Sequence, residues 1–369
     1  MIDSNIFLNV FKGKRVLVTG HTGFKGAWLT QWLLNLGAEV AGYSLYIPSN
    51  PSLFEILNLK NQLKADFRQD ILDLPSLKNS IQEFEPEFVF HLAAQPIVSQ
   101  SFINPKETFM TNSIGMLNIL EVLRNIESVK SVVLITSDKC YEKLEWEYGY
   151  KETDRLGGKD PYSASKACAE IIFSSYMRSF LSANNCYYAT TRAGNVIGGG
   201  DWAKDRIVPD CMVSWSSQKE VSIRNPNSTR PWQHVLEPLS GYLWLAANLY
   251  LKKEKLNGEA FNFGPISEQH YSVSTLLEHL KEGWSFHNVK LNENSLIHSN
   301  KEAGLLKLSC DKALARLAWS PTLTFKETAD FTTKWYQVFY SKSEDIIDST
   351  NKQIREYCEI SKQRNKIWI

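Results

Sequence analysis

Arg15-Val-Leu-Val-Thr19 has the composition of a short buried strand, Gly20-x-x-Gly23-x-x-Gly26 follows at once, and residues 27–36 read as an apolar helix closed by Gly37. A strand that leaves through a helix comes back parallel to itself, which restricts the fold to helices packed on a parallel sheet. Glycines also let a backbone approach a ligand closely, and the first turn of the helix presents unpaired N–H groups to an anion. A glycine triplet alone is equally a structural turn; its position between strand and helix is what points to a dinucleotide diphosphate.

The alternation continues along the chain. Residues 39–44 read as a second strand, Asp70 and Asp73 mark a turn before a helix at 75–84, and 88–92 begins a strand after Pro86. A long helix over 105–124, a strand over 131–136, a helix over 162–181 and a strand over 187–192 follow. The expected fold is α/β: a Rossmann-type doubly wound parallel sheet with a smaller C-terminal substrate-binding lobe. Loops rich in Gly, Asp, Asn and Pro, from Gly194 to Trp202 and from Arg224 to Trp232, belong to the lobe. A helix at 235–251 and a strand at 260–263 return the chain to the first domain. The expected division is 1–195 with 233–263 for the dinucleotide-binding domain, 196–232 with 264–340 for the lobe, and 341–369 for a polar helical tail without nameable chemistry.

Composition removes several function classes. Lys+Arg number 41 against 40 Asp+Glu in 369 residues, so a net charge of +1 gives no field to gather nucleic acid or an anionic membrane. The six cysteines form no CxxC pair and no Cys/His cluster at zinc spacing, so no metal is expected. No window reaches the ~18 apolar residues of a membrane span, and 1–11 lacks a basic lead-in to an apolar core. A cytoplasmic protein with reduced cysteines is the expectation.

The reactive residues cluster around the fifth strand. Ser137-Asp138-Lys139 ends the run Ser131-Val-Val-Leu-Ile-Thr136, and Tyr162-x-x-x-Lys166 follows on the next helix. A Tyr and a Lys spaced i,i+4 share one helical face, so the ammonium can stabilise the phenolate that takes a proton from a hydroxyl. Oxidising an alcohol needs only that pair. The adjacent Asp138 and Lys139 imply a further proton transfer at a neighbouring carbon, for which loss of water is the natural step. Without Tyr162 and Lys166 nearby, Asp138 capping a turn and Lys139 in solvent would account for the triplet equally well.

An acidic residue to bind a ribose hydroxyl is missing from the end of the second strand, which reads Gly42-Tyr43-Ser44. His21 and Lys25 in the glycine loop can bind a 2′-phosphate or stay solvated. NAD is nonetheless expected, because a reaction that takes and returns a hydride in one turnover does not draw on a reduced pool. His91-Leu92-Ala93-Ala94-Gln95 at a strand end would lie beside the cofactor, and Asp70 with Ile71 would meet the adenine edge. Taken singly, each reads equally as a core histidine or a turn aspartate.

Together, Gly-His-Thr-Gly-Phe-Lys-Gly26, His91-Leu-Ala-Ala-Gln-Pro96, Thr136-Ser-Asp-Lys-Cys-Tyr141, Asp160-Pro-Tyr-Ser-Ala-Ser-Lys-Ala-Cys-Ala-Glu170, Gly194-Asn-Val-Ile-Gly-Gly-Gly-Asp-Trp202 and Arg230-Pro-Trp-Gln-His234 resemble the CDP-glucose 4,6-dehydratases. These belong to the extended short-chain dehydrogenase/reductases, and the likeness runs from about Lys14 to Trp319. Ser99, where a basic residue is frequent, and Lys143, where Asn is, depart from the pattern.

The resemblance implies that Tyr162 deprotonates the glucose 4-hydroxyl while Lys166 lowers the Tyr pKa and holds the nicotinamide ribose. Lys139 would then remove the C5 proton and Asp138 protonate the 6-hydroxyl, or Asp138 would perform both transfers with Lys139 stabilising the enolate. Ser137, or Thr136 beside it, would bond the 4-oxygen. The cofactor set would comprise Gly20, His21, Gly23, Phe24, Lys25, Gly26, Asp70, Ile71, Leu92, Ala93, Ala94, Gln95, Thr136, Tyr162 and Lys166.

Asn195, Arg206, Arg224 and Arg230 look like ligands of CDP-glucose, since Arg forks suit a diphosphate. Trp202 and Trp232 can flank the pyrimidine or belong to the core. The 105–124 and 162–181 helices resemble a four-helix contact, implying a homodimer or homotetramer. A 4-epimerase would need only Tyr162 and Lys166, a dehydratase for another nucleotide sugar commonly carries Asp-Glu at 138–139, and a non-catalytic NAD-binding scaffold would tolerate losses that are not seen.

Overall fold

The computed structural model describes residues 6–144, 147–182, 185–221, 223, 226–266, 271–284 and 307–369. Seven strands, β1 (Arg15–Thr19), β2 (Glu39–Tyr43), β3 (Ala65–Phe67), β4 (Phe88–His91), β5 (Ser131–Ile135), β6 (Tyr187–Arg192) and β7 (Glu259–Asn262), form one parallel sheet in the order 7-6-5-4-1-2-3. The order reverses beside β1, and Thr19 stands opposite both Tyr43 and His91. This is the doubly wound Rossmann-type sheet, whose ligand crevice opens beyond the strand ends at that reversal.

Both faces of the sheet are covered, so strands such as β4 and β5 are buried along their whole length and read as continuous apolar runs. Alternation sorts their side chains: Val16 and Val18 enter one core while Leu17 enters the other. The helices that position the site are α1 (Phe24–Asn35), α2 (Leu74–Phe84), α3 (Gly115–Leu123), α4 (Pro161–Tyr176), α5 (Ile207–Ser216), α6 (Leu236–Tyr250), α7 (Phe325–Ser341) and α8 (Ile346–Gln363). Met116, Ile119 and Leu120 of α3 and Phe173 of α4 pack with Leu17, while Trp28 and Trp32 of α1 and Leu243 of α6 fill the other side.

The expected helix over 105–124 contains a π-turn at Met110–Ile114, and α4 is extended by another at Met177–Leu181. The first places Asn112 so that its Nδ2 donates to Ser165 Oγ of α4 at 2.9 Å, joining the two helices. Two short strand pairs hold the loop before α6, Gln233–His234 pairing with Val196–Ile197 after β6 and Thr229–Arg230 with Tyr271–Ser272 after β7.

The C-terminal expectation needs correction. Residues 341–369 are polar on one face only: α8 buries Ile354, Tyr357, Cys358 and Ser361, an i,i+3,i+4,i+7 stripe. Trp368 stacks on Phe7 at 5.0 Å and on Tyr357 at 5.6 Å, so this segment completes the core of the first domain. From α7, Trp335 lies where a Cβ on Gly199 would be 2.0 Å from its ring, and Trp28 Nε1 donates to Gly199 O at 2.9 Å. Trp28, Gly199 and Trp335 thus join the sheet side to the lobe side in one packed core.

Glu237 on α6 anchors this arrangement. It is 1% exposed, accepts from Thr322 N at 2.8 Å and Leu323 N at 2.5 Å, and takes the Tyr357 hydroxyl at 3.0 Å. Burial pushes its carboxyl up to about 7 despite those donors. A folded-state pKa above the unfolded 4.5 means that the stabilising contribution is complete below pH ~4.5 and lost as pH rises through ~7, on the order of 3 kcal/mol. The melting temperature should therefore fall between pH 5 and 8.5, and fall less in E237Q; parallel curves for parent and variant would refute the assignment.

Candidate active site

Helix α4 begins at Asp160, whose carboxylate accepts from Ser163 N at 2.9 Å, with Pro161 in the first turn. That cap fixes the phase of the helix, so that Tyr162, Lys166 and the next residue in the series, Glu170, share one buried face at 8%, 5% and 3% exposure. Opposite them β5 ends and Ser137 caps a short 3-10 turn, Asp138–Cys140. Ser137 Oγ donates to Asp138 Oδ1 at 3.0 Å and accepts from Lys139 N at 3.2 Å. Ser137 is also the first group that lowers the pKa of the buried Tyr162 phenol, and Lys139 Nζ stands 5.9 Å from the Tyr162 ring centroid. The two acid/base pairs meet.

Asp138 is 1% exposed, and its Oδ2 is buried without a hydrogen-bond partner. A buried oxygen left unpaired is costly, which fits a group shaped to hold a substrate hydroxyl. Gly194 makes room for it, since a Cβ there would lie 1.8 Å from that oxygen. Thr136 Oγ1 lies 2.5 Å from Glu170 Oε1 and 3.1 Å from Thr191 O, two acceptors for its one hydrogen.

Burial holds the Tyr162 phenol up at about 12, with Ser137 and Arg206 pulling it down. Lys166 is itself pushed down to about 8 by burial, opposed first by Glu170. Lys25 falls to about 8 by burial and by repulsion from Arg206 and Lys166, with Asp138 opposing, so its ammonium shares this electrostatic centre.

The glycine loop is built for close approach. Gly20 has φ +73°, and a Cβ on it would lie 2.7 Å from Ala93 N, while one on Gly26 would fall 2.1 Å from Gly20 O. Gly23 differs: a Cβ there would meet only Gly20 O, at 3.4 Å, and this residue caps α1 without a side-chain hydrogen bond. Backbone donors of Phe24, Lys25 and Gly26 thus open the helix toward the crevice, as an anion-binding first turn requires. Leu92 and Ala93 form the opposite wall, Ala93 N donating to Thr19 Oγ1 at 3.1 Å, with the half-buried Ala94 next in the chain. The Gln95 side chain is spent on Thr108 Oγ1 and Ile97 N.

His21 is neither solvated nor free for a phosphate. Its fully buried ring bonds Asp66 Oδ1 and Ser44 Oγ, both at 2.9 Å, and only Gly42 leaves it space, since a Cβ there would be 2.3 Å away. Burial lowers its pKa, opposed by Asp66. Asp66 on β3 also accepts from Arg68 Nη2 at 3.0 Å, so its carboxylate is shared between His21 and Arg68. Asp70 Oδ1 accepts from Leu72 N at 2.9 Å in its own turn, and Ile71 packs in the core against Gly115.

Among the candidate sugar-nucleotide ligands, Arg206 caps α5 and donates to Asp201 Oδ2 at 2.7 Å. Asn195 adopts φ +50°, and its carbonyl accepts from Gln233 N at 3.3 Å. Arg230 is half-buried on its short strand and donates to Thr229 O at 2.8 Å. Arg224 lies outside the described residues. Trp202 is core, packed on Phe339 at 5.0 Å and Trp335 at 5.8 Å, and buried Trp232 donates to Tyr271 O at 3.2 Å. Ser99 Oγ donates to Asp205 Oδ2 at 2.8 Å, beside Arg206. Sequence reasoning missed Asp66, Asp201, Glu170 and Arg192. Only Glu170, at i+8 from Tyr162, left a legible trace.

Among the described residues no group of three or more His, Cys, Asp or Glu side chains is arranged to hold a metal, and no helix is long and apolar enough to cross a membrane. Residues 17–332 match the family model for GDP-mannose 4,6 dehydratase. The chain is 46% identical over 362 residues to CDP-glucose 4,6-dehydratase of Salmonella typhimurium, covering 97% of this chain and 98% of that protein. It is 26% identical over 349 residues to dTDP-glucose 4,6-dehydratase of Haemophilus influenzae, covering 89% and 99%. The crystal structure of dTDP-glucose 4,6-dehydratase from Bacillus anthracis in complex with NAD superposes with a TM-score of 0.71 at 19% identity, over 88% of this chain and 99% of that one.

A methyl group on Gly194 would displace the Asp138 carboxylate. G194A should lower turnover by about 10²-fold while the far-ultraviolet circular dichroism stays native; activity within twofold of the parent would show that Asp138 need not sit there.

Proposed function

Because the chain belongs to the GDP-mannose 4,6 dehydratase family, a group of enzymes acting on nucleotide sugars, we propose that it converts CDP-glucose to CDP-4-keto-6-deoxyglucose and water with NAD as cofactor, a step of deoxysugar biosynthesis. The convergence of Asp138, with its unpaired buried oxygen, and Lys139 on Tyr162 carries the dehydratase reading. CDP-glucose is preferred because the CDP-glucose relative matches nearly the full chain at 46% identity.

Gly20, Gly23 and Gly26 with the open first turn of α1 would hold the cofactor diphosphate, and Lys166 the nicotinamide ribose. When bound, NAD supplies a hydride acceptor for the sugar C4 and later the hydride donor for C6, which leaves the reaction redox-neutral. Tyr162 removes the 4-hydroxyl proton, with Ser137 bonding the same oxygen. The resulting 4-ketone makes the C5 hydrogen acidic, and Lys139 takes it. Asp138 protonates the 6-hydroxyl, which leaves as water. Lys139 then returns a proton to C5. Burial disfavours the Tyr162 phenolate, so before Tyr162 can act as base its phenol proton must pass to solvent, a loss that the positive charge of bound cofactor would favour.

Arg206, Arg230, Arg224 and Asn195 would grip the CDP diphosphate and sugar. Two copies would meet through the outer faces of the 105–124 and 162–181 helices, where Met110, Ile171 and Phe180 are 38%, 56% and 49% exposed. The free cysteines suit the cytoplasm.

Incubation with CDP-, dTDP-, GDP- and UDP-glucose followed by mass spectrometry should show loss of one water from CDP-glucose alone; an isomer of unchanged mass would make the protein an epimerase. D138N should still reduce its cofactor on adding substrate yet lose no water; normal turnover would remove Asp138 from the acid role. I171E should shift sedimentation toward the monomer, and an unchanged profile would place the subunit contact elsewhere.

A further inference from the structure

Behind the reacting groups lies a buried ion pair that the mechanism does not use. Glu170 accepts from Arg192 Nε at 3.0 Å and Nη2 at 2.8 Å, a forked geometry with both side chains under 5% exposed. Its remaining capacity is taken by Thr136 Oγ1 and by Thr190 Oγ1 at 2.9 Å. Arg192 Nη1 donates to the Tyr141 hydroxyl at 2.9 Å and to Glu152 O at 3.1 Å, and the guanidinium lies 4.9 Å from the Tyr141 ring centroid. The Tyr141 hydroxyl in turn donates to Asn262 Oδ1 at 2.7 Å, at the end of β7.

The placement of these contacts is informative. Thr136 and Tyr141 are the residues flanking the Ser137–Cys140 segment. Glu170 stands on the helix that carries Tyr162 and Lys166, four residues beyond the lysine, and Arg192 precedes the Gly194 that seats the Asp138 carboxylate. One ion pair therefore touches the helix of the oxidation pair, both ends of the turn bearing the elimination pair, and the strand that backs it. A buried pair of this kind gives little net stability over an apolar substitute but fixes geometry.

We propose that Glu170 and Arg192 are positioning residues that hold the Tyr162/Lys166 pair in register with the Asp138/Lys139 pair, so that proton removal at C5 follows oxidation at C4 without loss of the intermediate. The inference rests on the dehydratase reading. Glu170 acts on Lys166 as well: its charge is the chief influence raising a lysine that burial lowers. The other groups acting on Lys166 are Cys140 from the turn, His91 from β4 and Lys25 from the glycine loop.

E170Q keeps the shape and removes the charge. Without substrate, its amides over 136–141 should exchange hydrogen faster than the parent's, by about tenfold or more, while those of β1 and β4 stay unchanged. With CDP-glucose, single-turnover cofactor reduction should stay within about threefold, net water loss should fall by about 10²-fold, and the alkaline limb of the pH profile should move to lower pH. Y141F, which loosens the far flank without touching Glu170, should change exchange and partition in the same direction by a smaller factor, and it decides the matter if E170Q does not fold. Parental exchange at 136–141 with parental partition would overturn the proposal. A parent that removes no water from any nucleotide sugar would instead refute the dehydratase reading, leaving the exchange measurement as the test of the positioning role.

Discussion

The close approach of two backbones where the sheet order reverses sets the terms for everything else. With φ +73° and no side chain, Gly20 lets β1 turn against the chain leaving β4, and Gly26 brings α1 down onto that turn. Neither contact survives the addition of one carbon atom. Their consequence is a crevice walled by Gly20 through Gly26 on one side and Leu92 and Ala93 on the other. The next parallel strand, β5, ends beside it, so the Ser137-Asp138-Lys139 turn is delivered to the crevice by topology.

Much of this was legible because it is local. Strand, glycine turn and helix declare themselves by order, and the i,i+4 spacing of Tyr162 and Lys166 predicts a shared face wherever the helix packs. What stayed hidden depends on pairing across sequence distance. Asp66 pairs with the glycine-loop His21, but β3 is a three-residue edge strand with half-buried side chains and no apolar run to betray it. Arg192 ends the buried strand Tyr-Tyr-Ala-Thr-Thr-Arg, and nothing in one sequence says that its partner lies on α4. Trp202 sits among motif residues in the sequence, yet in space it belongs to the aromatic cluster of α7. The tail was misread for a different reason: the stripe at 354, 357, 358 and 361 was present, but the many polar residues between its members masked it.

Burial explains how a site so rich in charge stays controlled. The water-excluded setting that lowers Lys166 and Lys25 also raises Tyr162, so the tyrosine and both lysines are pushed toward their neutral forms. Removing water thus widens the gap between the Tyr162 and Lys166 pKa values, to about 12 against about 8, before any ligand arrives. Glu170 counters that pressure at Lys166 from behind, and Asp138 counters it at Lys25 from across the crevice.

The continuous packing of Trp28, Gly199 and Trp335 has a mechanical meaning. Enzymes that trap substrate between two lobes commonly open about a hinge, but here Trp28 beside the sheet and Trp335 of α7 belong to one core. Baring both indoles would cost on the order of 10 kcal/mol at ordinary values for apolar area, too much for a motion repeated in each catalytic cycle. The start of the 201–206 segment is fixed in the same core, Trp202 packing on Trp335 and Asp201 bonding the Tyr336 hydroxyl. The molecule is better regarded as a rigid vessel than as a jaw.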